Sequence, residues 1–398
     1  MNVQISDNLV LFCYLTNLQL ISFFWVGTSP RVTIVEPNLI RDILSNKLGH
    51  FEKPKLNPLV KLFTTGLANY EGEQWAKHRR IINPAFHQGK LKRMLPAFHT
   101  SCHELVSRWE ELATPEGSCE LDVWPEFQNL TGDAISRTAF GSNYEEGKRI
   151  FQLQNEQAKL ILQHLQSIYI PGVRFLPTTR NNRIKEIERE LQTLLRYIIN
   201  KREEALKLGE ASKDDLLSLL IESNQSEIQE HGNISNAGMS IEEVIEECKL
   251  FYFAEQETTS NLLVWTMIVL SKHVDWQMRA REEVLQVFDN NKPNHDGLNH
   301  LKIVTMIFYE VLRLYPPAFL LLRSIYKKVK LGHFTLPPGV QLALPTILIH
   351  HDRGLWGEDA EEFRPERFSE GISNATKNQV SFFPFGWVPG YALGRTLP

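Results

Sequence analysis

Cysteine is scarce in this chain. Cys13, Cys102, Cys119 and Cys248 are the only four in 398 residues, with no CxxC pair and no histidine at ligand spacing. That excludes a disulfide framework and a zinc site, and leaves buried or partly buried free thiols of a reducing compartment. An excess of one charge is lacking too: 43 basic residues face 47 acidic ones, net -4, which gives no electrostatic footprint for nucleic acid. No long uninterrupted hydrophobic run occurs. Residues 9–26 come closest, but Thr16, Asn17, Gln19 and Ser22 break the run and no basic cluster flanks it. Its end, Ile21–Val26, is expected to be a buried strand. No internal repeat is present, which excludes solenoid architectures.

What remains is ordinary globular material, 42% apolar and 23% charged. Two β-rich runs in Phe23–Val35, split by Gly27-Thr28-Ser29-Pro30, predict a hairpin. Pro37–Ser45 follows as a short helix and 46–70 as loop. Apolar residues at three- and four-residue spacing predict helices over Glu73–Asn83, Lys90–Leu112, Trp124–Ala139, Glu145–Ile168, Arg180–Leu208 and Asp214–Glu222. Ser223–Met239 is polar and reads as a surface loop. Ser240-Ile241-Glu242-Glu243 is a capping box opening a helix that runs to about His273, roughly 50 Å at 1.5 Å per residue. Helices Trp276–Phe288 and Leu301–Leu314 follow, the latter stopped by Pro316-Pro317. Ser324–Leu331 and Val340–Ile349 then read as strands.

Three constellations carry chemistry. Glu310 and Arg313 stand three apart on one helix face, and Arg364-Pro365-Glu366-Arg367-Phe368 lies about fifty residues on. Trp75 and Arg79 share a face at i,i+4. Ala254-Glu255-Gln256-Glu257-Thr258 sits mid-way along the long helix. With FFWVGTSPRV, NPAFH at 83–87, GMSIEEVIEECKLFYFA at 238–254 and FFPFGW at 382–387, the chain resembles the cytochrome P450 superfamily. It looks closest to the plant clan that oxidises terpenoid-like lipophiles (secologanin-synthase-like).

The resemblance covers roughly residues 20–398. It implies a mainly α fold with a small β-rich lobe: a non-family N-terminus over 1–20, then a single domain over 21–398. By resemblance Glu310, Arg313 and Arg367 lock the fold. Trp75 and Arg79 hold one haem propionate and Arg323 the other, while Phe385 and Trp387 belong to the haem loop. Glu257 and Thr258 pass protons. The implied cofactor is haem b. The implied partners are an NADPH-cytochrome reductase and a lipophilic small molecule, and no nucleic acid. The implied location is the cytosolic face of the endoplasmic reticulum membrane, with no anchor evident. Substrate contacts are expected around Phe98–Ser107, Leu160–Leu176 and Phe319–Leu322.

Two departures stand out. Glu255 occupies the position of the family's glycine, beside which dioxygen lies. The loop expected as FFPFGWGPRICIGQNFA reads FFPFGWVPGYALGRTLP, so Ala392 stands where the thiolate cysteine is expected, Gly390 replaces an arginine, and no metal ligand remains. Deleting one G after the Trp codon of the expected sequence translates as WVPGYALGRTLP, which is Trp387–Pro398. This predicts a frameshifted, truncated chain, incomplete after 387 and missing the C-terminal end of the fold. Three readings follow: a haem-thiolate monooxygenase by family; a haem-free, catalytically dead copy, which the loop favours for the chain as written; and a haem-free binder of hydrophobic ligands. Tyr391 is a conceivable substitute ligand.

Overall fold

The computed structural model describes residues 21–386, apart from 27–28, 47–48, 57, 64, 114–118, 142–143, 167–175, 210–214, 231–237, 290 and 378. The chain divides into two compact units. One comprises Met1–Lys55 with Arg313–Ala392, the other Leu56–Leu312 with Leu393–Pro398.

The first unit is built on a five-stranded sheet in the order β1-β2-β7-β4-β3. β1 (Ile21–Val26) and β2 (Ser29–Ile34) form the predicted antiparallel hairpin, with Ile21 opposite Ile34 and Val26 opposite Ser29. β2 pairs in parallel with β7 (Gln341–Leu344), Val32 opposite Leu342. β4 (Leu321–Ile325) runs antiparallel to β7 and to the two-residue β3 (Phe51–Glu52). β5 (Val329–Leu331) and β6 (Phe334–Leu336) make a separate two-stranded ladder.

Helix Pro37–Ser45 puts Leu39, Ile40, Ile43 and Leu44 on one face, the 3–4 spacing of an amphipathic helix. These residues pack with Val32, Ile34, Leu342, Leu344 and Phe383 in the unit's core. β1 corrects one expectation. It is a strand but not a buried one: Phe23 is 59% exposed and Trp25 62%. The run Val340–Ile349 is also not one strand. Pro345 ends β7, and Thr346–His350 is helical, because proline fixes φ and has no N–H for the ladder.

The second unit is helical. Its axis is the uninterrupted helix Ile241–Lys272, about 48 Å long. The capping box is present as expected: the Ser240 side chain accepts from Glu243 N–H, and the Glu243 carboxylate accepts from Ser240 N–H. Helix Val123–Phe140 makes the most extensive packing against it, and Asp122 caps its start. Thr131, on that helix, donates to the Gln256 carbonyl of the long helix at 3.1 Å. At the end of that contact Phe140 stacks flat on Tyr252, centroids 4.0 Å apart and planes 6° off parallel, with Phe151 edge-on at 5.0 Å. Gly141 follows at φ +57°, and a Cβ there would collide with the Arg202 guanidinium, which donates to the Phe140 carbonyl. Only glycine fits both constraints.

Helix Leu216–Glu230 runs beyond the predicted Glu222 into the polar stretch read as loop. Its polar residues have long-range partners that periodicity cannot show. Asn224 accepts from Met239 N–H and donates to Met239 C=O, and Glu227 takes Arg80. Helix Pro58–Phe63 likewise replaces part of the loop expected over 46–70.

The stacked pair gives a direct test. Phe140→Ala is expected to destabilise the protein by about 3–5 kcal/mol, whereas Phe23→Ser on exposed β1 should stay within about 0.5 kcal/mol. Urea-unfolding midpoints compare the two.

Candidate active site

In the second unit, Trp75 and Arg79 lie on helix Gly72–Ile82, both half-buried. The helix is tied down around them. Lys77 reaches Glu243 at 3.1 Å. His78, fully buried, places Nδ1 2.6 Å from Glu247 and Nε2 3.2 Å from Glu243. Arg80 pairs with Glu227. Glu247 Oε1 also accepts from Leu67 N–H at 2.9 Å.

Both nitrogens of His78 face carboxylate oxygens. Burial works against the charged form of Glu243, but the bonds from Ser240 N–H, Lys77 and His78 hold its carboxyl below the usual range. Tyr70, edge-on to the His78 ring at 4.7 Å, has its phenol pushed up to about 12 by burial and then by Glu247 and Glu243. His78, Glu243 and Glu247 were missed in the sequence. The signal available was a histidine inside WxxxR together with a Glu243–Glu247 pair at i,i+4.

Glu257 and Thr258 lie on the long helix but face different ways. The half-buried Glu257 accepts from Gln128 Nε2 at 3.1 Å. Burial pushes its carboxyl up, offset in part by that bond. Thr258 is exposed, and its hydroxyl donates to Ala254 C=O at 2.6 Å, the back-bond that threonine makes within helices. Gln256, between Glu255 and Glu257, is buried against helix Val123–Phe140, where its carbonyl accepts from Thr131. Glu255 therefore points to the open side, one turn before Thr258.

In the first unit, Arg313 is fully buried. Its Nη1 donates to His350 C=O and Ala360 C=O at 2.7 and 2.5 Å, and its Nη2 to Glu362 C=O at 3.2 Å. Trp356 lies 5.1 Å below the guanidinium. Arg367 binds the same segment through Trp356 C=O at 2.9 Å and the Asp359 carboxylate at 2.8 Å. Arg313 and Arg367 thus stitch one stretch of backbone from both ends. Glu310, at the end of the second unit, is fully buried.

His350 extends this network to the 382–386 loop. Its Nδ1 donates to Arg313 C=O at 3.2 Å, and its Nε2 accepts from Phe383 N–H at 3.1 Å. The two partners fix the Nδ1–H tautomer. Phe382 stacks on the ring at 5.4 Å and Phe383 meets its face at 5.5 Å. His350 was not foreseen, and its only sequence signal is a histidine closing an apolar run. The loop then turns at Phe385, 68% exposed, and Gly386 at φ +79°. Arg323 lies on β4 and donates to Leu322 C=O. Trp387, Gly390, Tyr391 and Ala392 fall outside the described residues, as do 1–20 and part of the expected substrate stretch Leu160–Leu176.

Arg79 and the Trp75 indole N–H are donors of the kind a carboxylate accepts from, and so, separately, is Arg323. Trp75 and Arg79 belong to the second unit, Arg323 and Phe385 to the first. No described cysteine suits iron. Cys102 and Cys119 are free and exposed, which corrects the expectation of burial, and Cys248 is buried, its thiol pushed up by burial and Glu247. Among the described residues no cluster of three or more metal-ligating side chains occurs. No described helix is long and apolar enough to cross a membrane.

Residues 10–395 match the family model described as Cytochrome P450. The chain belongs to the cytochrome P450 family. It is 64% identical over 371 residues to Cytochrome P450 CYP72A616 of Paris polyphylla, covering 93% of this chain and 71% of that one. It is 59% identical to Cytochrome P450 CYP72A219 of Panax ginseng, covering 96% and 74%. It is 56% identical to the 11-oxo-beta-amyrin 30-oxidase of Glycyrrhiza uralensis, covering 94% and 72%.

These alignments correct the expectation of a frameshifted, truncated and catalytically dead copy lacking its C-terminal end. Curated P450s match over 93–96% of the chain at high identity, and the family match runs through the loop to residue 395. They support a functional P450 oxidoreductase with a mainly α fold and a small β lobe. The family uses haem b and acts with a reductase on lipophilic substrates, terpenoids among them.

Two outcomes test this geometry. His350→Phe is expected to free the Phe383 amide and speed its hydrogen exchange at least tenfold, with His350→Gln intermediate. His78→Leu leaves Glu247 buried without its partner and should cost about 3–5 kcal/mol, while the double variant His78→Leu, Glu247→Leu should recover most of that loss. Thermal unfolding of the unaltered protein, of His78→Leu, of Glu247→Leu and of the double variant reads the cycle.

Proposed function

We propose that this P450 hydroxylates a terpenoid-like lipophile, taking one oxygen atom from dioxygen and electrons from an NADPH-dependent reductase. The observation that carries the reading is the family match over residues 10–395, and each unit's donors support it separately. Trp75 and Arg79 are held by the Lys77, His78 and Arg80 ties, and Arg323 by β4. Trp75 and Arg79 would hold one haem propionate and Arg323 the other. Phe385 and Trp387 would lie in the haem loop. Haem, when bound, supplies the activation of dioxygen.

The protein's own contribution is positioning and proton supply. Glu310, Arg313 and Arg367 serve as the structural lock. Arg313 and Arg367 fix the 350–362 backbone, and His350 carries that order to Phe383. Thr258 Oγ holds a proton now donated to Ala254 C=O; rotation about χ1 turns it to the open side of the helix. Glu257, its carboxyl kept from easy ionisation by burial, is a proton source one residue away. The Glycyrrhiza relative is an oxidase of 11-oxo-beta-amyrin by its name, which makes a pentacyclic triterpene the substrate class to try first. By family, the working location is the cytosolic face of the endoplasmic reticulum membrane.

The purified chain, supplied with haem, NADPH, reductase and a triterpene under isotopically heavy dioxygen, is expected to give product carrying one heavy oxygen atom. Product without the label, or no product from a haem-loaded sample, overturns the reading.

A further inference from the structure

Helix Val123–Phe140 grips the long helix at two consecutive residues through Gln128. The Gln128 backbone carbonyl accepts from Gln256 Nε2 at 3.3 Å, and its side-chain Nε2 donates to Glu257 Oε1 at 3.1 Å. One turn further on, the buried Thr131 hydroxyl donates to the Gln256 carbonyl at 3.1 Å. The backbone of Gln128 is therefore fixed against the long helix at the point where its side chain meets Glu257. Glu257 Oε2 has no partner among the described residues.

The kind of partner matters. Carboxylates in the first turns of the long helix meet cationic side chains or histidine: Glu242 meets Arg196, Glu243 meets Lys77 and His78, Glu246 meets Lys249, and Glu247 meets His78. A cation holds a carboxylate in its ionised form. Glu257 meets a neutral amide instead. Such a donor steadies the group and still lets it take up and release a proton. Burial, the larger influence, pushes this carboxyl up, and the Gln128 bond and the Lys159 charge oppose it. Lys159, exposed on helix Tyr144–Gln166, acts through its charge alone.

We propose that Gln128 is a positioning residue for Glu257: its amide N–H takes one carboxyl oxygen, which leaves the other to carry the exchangeable proton. This rests on the reading of Glu257 as a proton source given above. The bond favours the ionised carboxyl, so without it Glu257 releases its proton only at higher pH. Glu257 can supply a proton only while it is protonated. Its contribution is therefore lost as pH rises through its titration, which burial sets above the usual carboxylate range.

Infrared titration of the full chain reads this without turnover, the Glu257 acid carbonyl band being assigned by its loss in Glu257→Gln. Gln128→Met keeps the volume and removes the donor, and the titration is expected to move up by about one pH unit. Gln128→Lys replaces the amide by a cation and should move it down. A side chain that merely packed would not give opposite signs in the two variants. Lys159→Met should move the titration up only at low salt, because salt screens an exposed charge, whereas the Gln128→Met effect should persist at high salt. With haem, reductase and a triterpene supplied, the basic limb of the turnover profile should follow the titration in both Gln128 variants. A titration unmoved in Gln128→Met overturns the role, whether or not Gln128→Lys folds. So does a turnover profile that stays in place while the titration moves. Absence of turnover from the haem-loaded unaltered protein, with the titration moving as stated, overturns the hydroxylase reading and supports the hold of Gln128 on Glu257.

Discussion

The first unit depends on one buried cation. Arg313 has no access to water, so its guanidinium must find acceptors inside the protein. It finds the carbonyls of His350, Ala360 and Glu362. Those carbonyls belong to a stretch with little regular structure, and without the arginine they would lose their donors as well. Arg367 repeats the device from the other end through Trp356 and Asp359. An irregular segment thereby becomes as fixed as a helix, and His350 passes the constraint to the backbone of Phe383.

The second unit uses the same logic with opposite polarity. Here the groups are buried or half-buried carboxylates on the long helix and on helix Leu216–Glu230, and the helix carrying Trp75 and Arg79 supplies the donors. Lys77, His78 and Arg80 occupy three successive directions around that helix and bind Glu243, Glu247 and Glu227. Trp75 and Arg79 remain on the face these ties leave over. Trp75 and Arg79 are oriented by these neighbours.

Much of this was legible in the sequence. The capping box at Ser240, the long helix, the hairpin around Gly27–Pro30 and the helix ending before Pro316 follow from local rules, and each is present. The resemblance to the P450 family is borne out by the family match and by the relatives. The tail misleads: its mismatch over Trp387–Pro398 points to a decayed copy, whereas high identity over 93–96% of the chain supports a functional enzyme. The missed elements have a common physical cause. Helix Leu216–Glu230 continues through polar residues because Asn224 and Glu227 have partners far away in sequence, and His350 and His78 gain their roles only when distant backbone or carboxylates meet them. Local periodicity registers burial of apolar faces and is blind to long-range polar pairing.

The sheet carries a consequence for how the protein is made. Its second strand hydrogen-bonds to a partner more than three hundred residues later, where Arg31 also meets Gln341. During synthesis the hairpin leaves the ribosome long before that partner exists, with one edge open and Phe23 and Trp25 uncovered. Closing so long a loop is slow, and an open apolar edge invites mispairing. The helical half can mature first, while the small lobe waits for the last quarter of the chain to emerge.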